Sequence, residues 1–254
     1  MLTVVIFTFG SCKKDEDPEP ASPAGPEPTG TLMFHLHTYL DVNEVDAYNI
    51  VYTTDAGRKV SMNIGQMYIS NIQLVRPDGS TYDVPDTKLL KVLDTETYLI
   101  GDVPAGSYKT VRFKVGLDSA TNALQPSASA DSVLLNHSEM WLAAWPQPDG
   151  YTFLNFEGKI DTTADATGST AQMQPFSFHI GTNAHYTQVV MPDHPFTIVD
   201  SQVEFVHIIA NYFHLFSGVQ LNQASNLSVT SAADNATANG NHIAANIAGM
   251  FIYE

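Results

Sequence analysis

The 254-residue chain carries 11 Lys plus Arg against 27 Asp plus Glu, a formal net charge of −16. That balance argues against a basic face for nucleic acid or anionic lipid. A hydrophobic fraction of 44% supports a substantial core, the single cysteine excludes an intrachain disulfide, and no apolar run approaches the ~20 residues of a membrane-spanning helix.

The chain opens with an apolar run closing in Gly10-Ser11-Cys12. Residues 1–11 read as the h-region and cleavage box of a secretory signal, incomplete because no basic n-region precedes it. Gly10-Ser11-Cys12 resembles a bacterial lipobox, in which Cys12 becomes the lipidated first residue. Lys13-Lys14-Asp15-Glu16-Asp17 resembles the charged export tag of some surface lipoproteins. Residues 12–30 are then a lipidated cysteine followed by an acidic, Pro-rich, disordered tether, too poor in apolar side chains to order itself. The expected location is the outer membrane, at the cell surface or the periplasmic face, with the lipid as the membrane contact.

From Thr31 onward the dominant period is two, and residues 31–254 read as a single domain. Leu32, Phe34 and Leu36 alternate with Met33, His35 and His37. Residues 67–75 and 81–84 flank Arg76-Pro77-Asp78-Gly79-Ser80, a hairpin signal. A turn at 103–107 precedes an alternating strand over 108–117. Further strands are expected over 151–158 and 176–181, with one or two in 187–199. The segment Ser201–Gly218 breaks the pattern. Phe205, Ile208, Ile209, Tyr212, Phe213 and Phe216 fall at helical spacing behind a Ser201/Glu204 capping box, which predicts a short helix near 201–217. Residues 222–248 suggest a long loop, with a second short helix in 241–249. The fold class is all-β, an antiparallel β-sandwich with long loops.

The usual nucleophile, phosphate-loop, dinucleotide and zinc-protease motifs are absent, so the chain does not read as an enzyme. The histidines are more informative. His35 and His37 lie two apart in a strand, so both imidazoles leave the same face about 6.6 Å apart. That separation can close on one metal ion, and imidazole suits copper, zinc and nickel. On spacing alone, however, two such strand histidines are more often simply part-exposed. His179 alternates with Phe176 and Phe178 and leaves the core face. His207 and His214 fall on the polar face of the predicted helix and read as a solvated pair. His137 precedes Met140-Trp141-Leu142-Ala143-Ala144-Trp145 and is a secondary candidate. Trp141 and Trp145 are either core indoles or, with Tyr151, a sugar-stacking platform, or an oxidisable Trp beside a metal.

Taken in order, several motifs resemble the MbnP-like family. They are Phe34-His35-Leu36-His37-Thr38, the strand Gln66 to Leu74, Val103-Pro104-Ala105-Gly106-Ser107-Tyr108, Phe113 to Asp118, Met140-Trp141 with Trp145, Gly150-Tyr151, Phe156-Glu157-Gly158, Phe178-His179-Ile180-Gly181 and Ala245 to Phe251. The resemblance spans nearly all of residues 31–254. It implies a secreted β-sandwich that binds copper, as Cu(I) or Cu(II), through histidines, with zinc a lesser expectation. His37 and His179 lie in the shared motifs, and His35 joins them by strand geometry. Trp141 or Trp145 would be the position of an oxidised tryptophan, kynurenine in some members. The implied partners are a dihaem peroxidase-type protein and a TonB-dependent receptor. The competing expectation is a glycan- or protein-binding module of a surface complex built on Trp141, Trp145 and Tyr151.

Overall fold

The computed structural model describes residues 27–126, 132–142 and 150–254. Cys12, the signal segment, most of the tether and Trp145 lie outside them. In chain order the strands are β1 (Thr29–Leu40), β2 (Asn43–Glu44), β3 (Val51–Thr53), β4 (Lys59–Val75), β5 (Thr81–Asp83), β6 (Lys88–Lys91), β7 (Thr97–Pro104), β8 (Gly106–Tyr108), β9 (Thr110–Val115), β10 (Thr152–Ile160), β11 (Gln174–Gly181), β12 (Thr187–Val190), β13 (Phe196–Ile198), β14 (Val203–Asn211), β15 (Ser228–Val229) and β16 (Phe251–Tyr253). β1 begins two residues inside the stretch read as tether, because Thr29 and Gly30 already pair with Pro104 and Val103 of β7.

The architecture is all-β and sandwich-like. The smaller of the two main sheets runs β16-β14-β1-β2, with β7 also pairing β1. The larger runs β12-β9-β4-β10-β11-β15, with β3, β5 and β6 pairing the long β4, and β13 pairs β8 as a separate ribbon. The expected hairpin at 76–80 is present: Val75 faces Thr81, and Asp78 Oδ1 accepts from the Ser80 N–H at 2.8 Å. The sandwich is not wholly antiparallel, since β1 pairs β14 and β11 pairs β15 in parallel.

Strand alternation determines what each sheet buries. On β1, Leu32, Phe34, Leu36 and Leu40 point inward, while Met33, His35, His37 and Tyr39 remain part-exposed. Met67, Ile69, Phe113, Phe156 and Phe178 of the larger sheet share one core with them. Phe34 meets Phe113 across the interior with ring centroids 6.3 Å apart. A second, smaller core forms on the opposite face of the larger sheet, where Tyr68 and Phe153 pack with Leu117, Leu135, Met140 and Tyr151.

The predicted helix near 201–217 needs correction. Residues 203–211 are strand β14, and only Tyr212–Phe216 turn, as a short 3-10 helix. The apolar spacing was genuine but had another cause. Val206, Ile208 and Ala210 fill the core, while Phe205 and Ile209 lie on the outer face. A parallel strand flanked on both sides tolerates apolar residues on both faces, and its β-branched residues favour the pleat. Ser201 caps no helix; it sits at φ +59° in the turn before β14. The expected second helix is present as Ala238–Asn246.

One cation is enclosed in the sandwich. Lys91 of β6 is fully buried; its ammonium donates to Thr38 Oγ1 and, at 3.1 Å, to the Val92 carbonyl oxygen. Burial pulls its pKa down from 10.5 to about 8, against the opposing pull of Glu96. Between those values the folded chain holds fewer protons than the unfolded one, so this group makes stability rise with pH by up to about 3 kcal/mol. Burial raises the Tyr98 hydroxyl to about 12, so the tyrosine contribution is lost only above pH ~10. Urea denaturation at pH 7 and pH 9.5 should therefore show the native chain gaining stability at the higher pH and Lys91→Met showing little gain.

Candidate metal centre

The parallel pairing of β1 with β14 places His35 directly beside His207. His37, two residues along β1, leaves the same outer face. The imidazole rings of His35 and His37 lie with centroids 4.3 Å apart, and those of His35 and His207 4.8 Å apart. Each of the three offers one ring nitrogen, all within 4.8 Å of one another. His35 Nδ1 and His207 Nδ1 are 3.2 Å apart. Two such nitrogens can share one proton or one cation between them.

Three carboxylates arrive from three further segments. Glu44 Oε1 on β2 lies 2.6 Å from His37 Nδ1. Glu96 Oε2, just before β7, lies 3.1 Å from His35 Nε2, and the Glu96 carbonyl accepts the Leu36 N–H at 2.7 Å. Glu254 follows β16. Its Oε2 lies 3.2 Å from His207 Nδ1 and 3.4 Å from His37 Nε2. A tight turn sets Glu44: Asp41 takes φ +59°, its N–H donates to Asn211 Oδ1, and Asn211 Nδ2 donates back to the Asp41 carbonyl, both at 2.9 Å. The end of β14 thus clamps the β1–β2 corner.

This arrangement fits a metal. A nitrogen ligand sits about 2.0–2.1 Å from zinc, so two ligands at a tetrahedral angle lie ~3.3 Å apart. The His35–His207 contact is already at that spacing, and the full set closes with a shift of under about 1 Å. Glu96 and Glu44 each occupy one nitrogen of His35 and His37, the carboxylate–histidine arrangement that fixes ring orientation and tautomer around a metal. The other nitrogen of His37, Nε2, is buried and has no hydrogen-bond partner among the described residues. Side-chain exposure rises from 13% at His37 through 25% at His35 to 45% at His207. The group is therefore anchored at one end and open to solvent at the other.

A family model described as MbnP matches residues 29–251. The chain belongs to the MbnP family. Among solved structures, MbnP from Methylosinus trichosporium is similar at 16% identity and a TM-score of 0.49, over 74% of this chain and 78% of that one. A likeness that remote assigns no residues. No curated protein matches the chain.

Within this MbnP-family domain the expected ligand set divides. His35 and His37 come together, but His179 does not join them. It stands on β11 with its side chain on the outer face of the other sheet, where Nε2 meets Glu157 Oε1 at 2.6 Å and Ser177 Oγ at 3.2 Å. His137 pairs with Glu139 at 3.3 Å in the segment that crosses that same face, where Asn155 Nδ2 donates to the Glu139 carbonyl. Trp141 packs against the second core, and its indole N–H donates to the Leu135 carbonyl at 3.2 Å. The described tryptophan therefore lies across both sheets from the three histidines. Tyr151, expected on a sugar platform, is fully buried and bridges Trp141 by backbone pairing. His207 was missed because the helical reading placed it beside His214. A strand reading of 203–211 puts it two positions from Phe205 on an outer face. The three glutamates carried no sequence signal, being single residues in turns and at a strand end.

Asn211→Ala removes both reciprocal bonds to Asp41 and leaves that turn without its clamp. Stability should fall by about 1–3 kcal/mol, measured by urea denaturation, with a larger loss than for Asn226→Ala, whose amide makes one exposed contact to Gln220.

Proposed function

We propose that this chain binds copper through His35, His37 and His207, for scavenging or delivery of the metal outside the cell. The observation that carries this reading is the inward-turned set of three ring nitrogens, two of them on rings tied by carboxylates at their far side. Three neutral imidazoles accept Cu(I) or Cu(II), and at a site of this type copper outcompetes zinc. MbnP family membership points the same way. Metal binding rather than catalysis is the reading also supported by the absence of a nucleophile motif. The tether and Cys12 support a lipid-anchored protein of the outer membrane. The dihaem peroxidase-type partner and TonB-dependent receptor that the family resemblance implies would belong to the same route. A glycan platform is less well supported, because Tyr151 offers no exposed ring.

Titration of the metal-free chain with Cu(I) against a competing chelator should give one tightly held ion. The His35→Ala/His207→Ala double variant should lose at least 100-fold in affinity while keeping its thermal transition. His179→Ala should change copper affinity little; equal losses in the two variants would shift the centre to the other sheet. Metabolic labelling with a fatty acid should mark the native chain in bacteria and leave Cys12→Ala unlabelled.

A further inference from the structure

The outer face of the smaller sheet carries a second donor group that overlaps the first. His37, Glu44 and Glu96 each offer one ligand atom, all within 4.8 Å of one another. This set differs in chemistry from the three histidines: one imidazole with two carboxylates is an oxygen-rich site that favours divalent ions over Cu(I). Both carboxylates are reachable from solvent, with side-chain exposures of 39% for Glu44 and 45% for Glu96.

His37 belongs to both groups, and its two nitrogens serve different sides. Nδ1 is directed at Glu44, 2.6 Å away, while Nε2 approaches Glu254 on the His207 side at 3.4 Å. Nε2 is also the buried nitrogen without a hydrogen-bond partner. Charge supports a second cation. Among the described residues, the ion-pair partners of Glu44, Glu96 and Glu254 are His35, His37 and His207 alone. With the imidazoles neutral, the three carboxylates and one Cu(I) sum to −3 + 1 = −2, which the buried Lys91 ammonium near Glu96 offsets only in part. A divalent ion beside Glu44 and Glu96, with the His37 proton released, would bring it to −2 + 2 − 1 = −1. The two carboxylates are held within reach of each other by backbone, Glu44 by the β2 pairing with Tyr39 and Glu96 by its bond to Leu36.

We propose that His37, Glu44 and Glu96 form a second, divalent-cation site that shares His37 with the three-histidine centre. An ion there displaces the His37 Nδ1 proton to solvent, so the resulting imidazolate links the two ions through opposite nitrogens. The inference rests on reading the three histidines as the copper centre, but its test is separable from that reading.

The full chain, stripped of metal, would be titrated with zinc alone and with Cu(I) alone, counting bound ions by competition and by mass after desalting. The expected result is two zinc ions per native chain and one Cu(I). Glu44→Gln/Glu96→Gln should drop zinc to one ion; one Cu(I) should still bind, with affinity lowered by about 10–100-fold because the two rings lose their orienting carboxylates. His35→Ala/His207→Ala should lose Cu(I) and keep one zinc ion. His37→Ala should weaken both sites. Native binding of one zinc ion, or two zinc ions still held by the glutamine variant, would overturn the proposal. Cu(I) binding unaffected in the His35/His207 variant would instead overturn the copper centre. Near-native circular dichroism and melting confirm that each variant is folded, and Glu44→Asp/Glu96→Asp, which keeps both charges, should retain more zinc than the glutamine variant if the carboxylates are ligands.

Discussion

The parallel pairing of β1 with β14, running from Thr31 opposite Val203 to Tyr39 opposite Asn211, is the constraint on which the rest of the molecule depends. It sets which side chains enter the core, because a slip of one residue would exchange the two faces of both strands. In the observed register Phe34 and Val206 go inward together, and His35 and His207 go outward together. The same pairing presents β1 to β7 and β2, and β14 to β16, and these three neighbours bring Glu96, Glu44 and Glu254 to the histidines. The site is thus a by-product of sheet order as much as of the identity of its residues.

The outer face divides along the strands. At one end of the β1–β14 pair lie the histidines and glutamates. One rung away, Met33 sits between Leu99 of β7 and Phe205 of β14, and Leu99 and Phe205 are exposed. Polar ligands therefore border an apolar surface on one side and the β1–β2 corner on the other. In a chain of net charge −16 the carboxylates at this face add to a field that attracts cations generally. In the proposed copper site, selection among cations would come from the imidazoles, which the glutamates contact and whose corner the Asp41–Asn211 clamp holds.

Much of this was legible in the sequence. Alternation along 31–40 gave the strand, its inward residues and the shared face of His35 and His37. Asp78-Gly79 gave the hairpin, and the ordered motifs gave the family. The limits are equally specific. The apolar residues of β14 satisfy both a helical and a strand period, because Phe205 and Ile209 occupy its outer face, and local pattern cannot separate the two when a strand is apolar on both sides. His207 was lost with that choice. Which histidines converge depends on long-range pairing: His179 stands in as good a strand motif as His37, and only sheet membership separates them. Lys91 could not have been placed inside, since nothing in Lys88-Leu89-Leu90-Lys91 distinguishes the buried lysine from the part-exposed one.

The two histidines that touch across the pairing, His35 and His207, are 172 positions apart in the chain. Contacts at such separation require the closure of a very long loop before they return any stabilisation, and chains dominated by them fold slowly. The strands between the first and the fourteenth are distributed over both sheets and the β8–β13 ribbon. In a nascent or unfolded chain only His35, His37 and Glu44 are close in sequence, whereas Glu96 and His207 lie 61 and 172 positions from His35. Assembly of the three-histidine group is consequently deferred to the end of folding, and its formation reports that the β1–β14 pairing has closed.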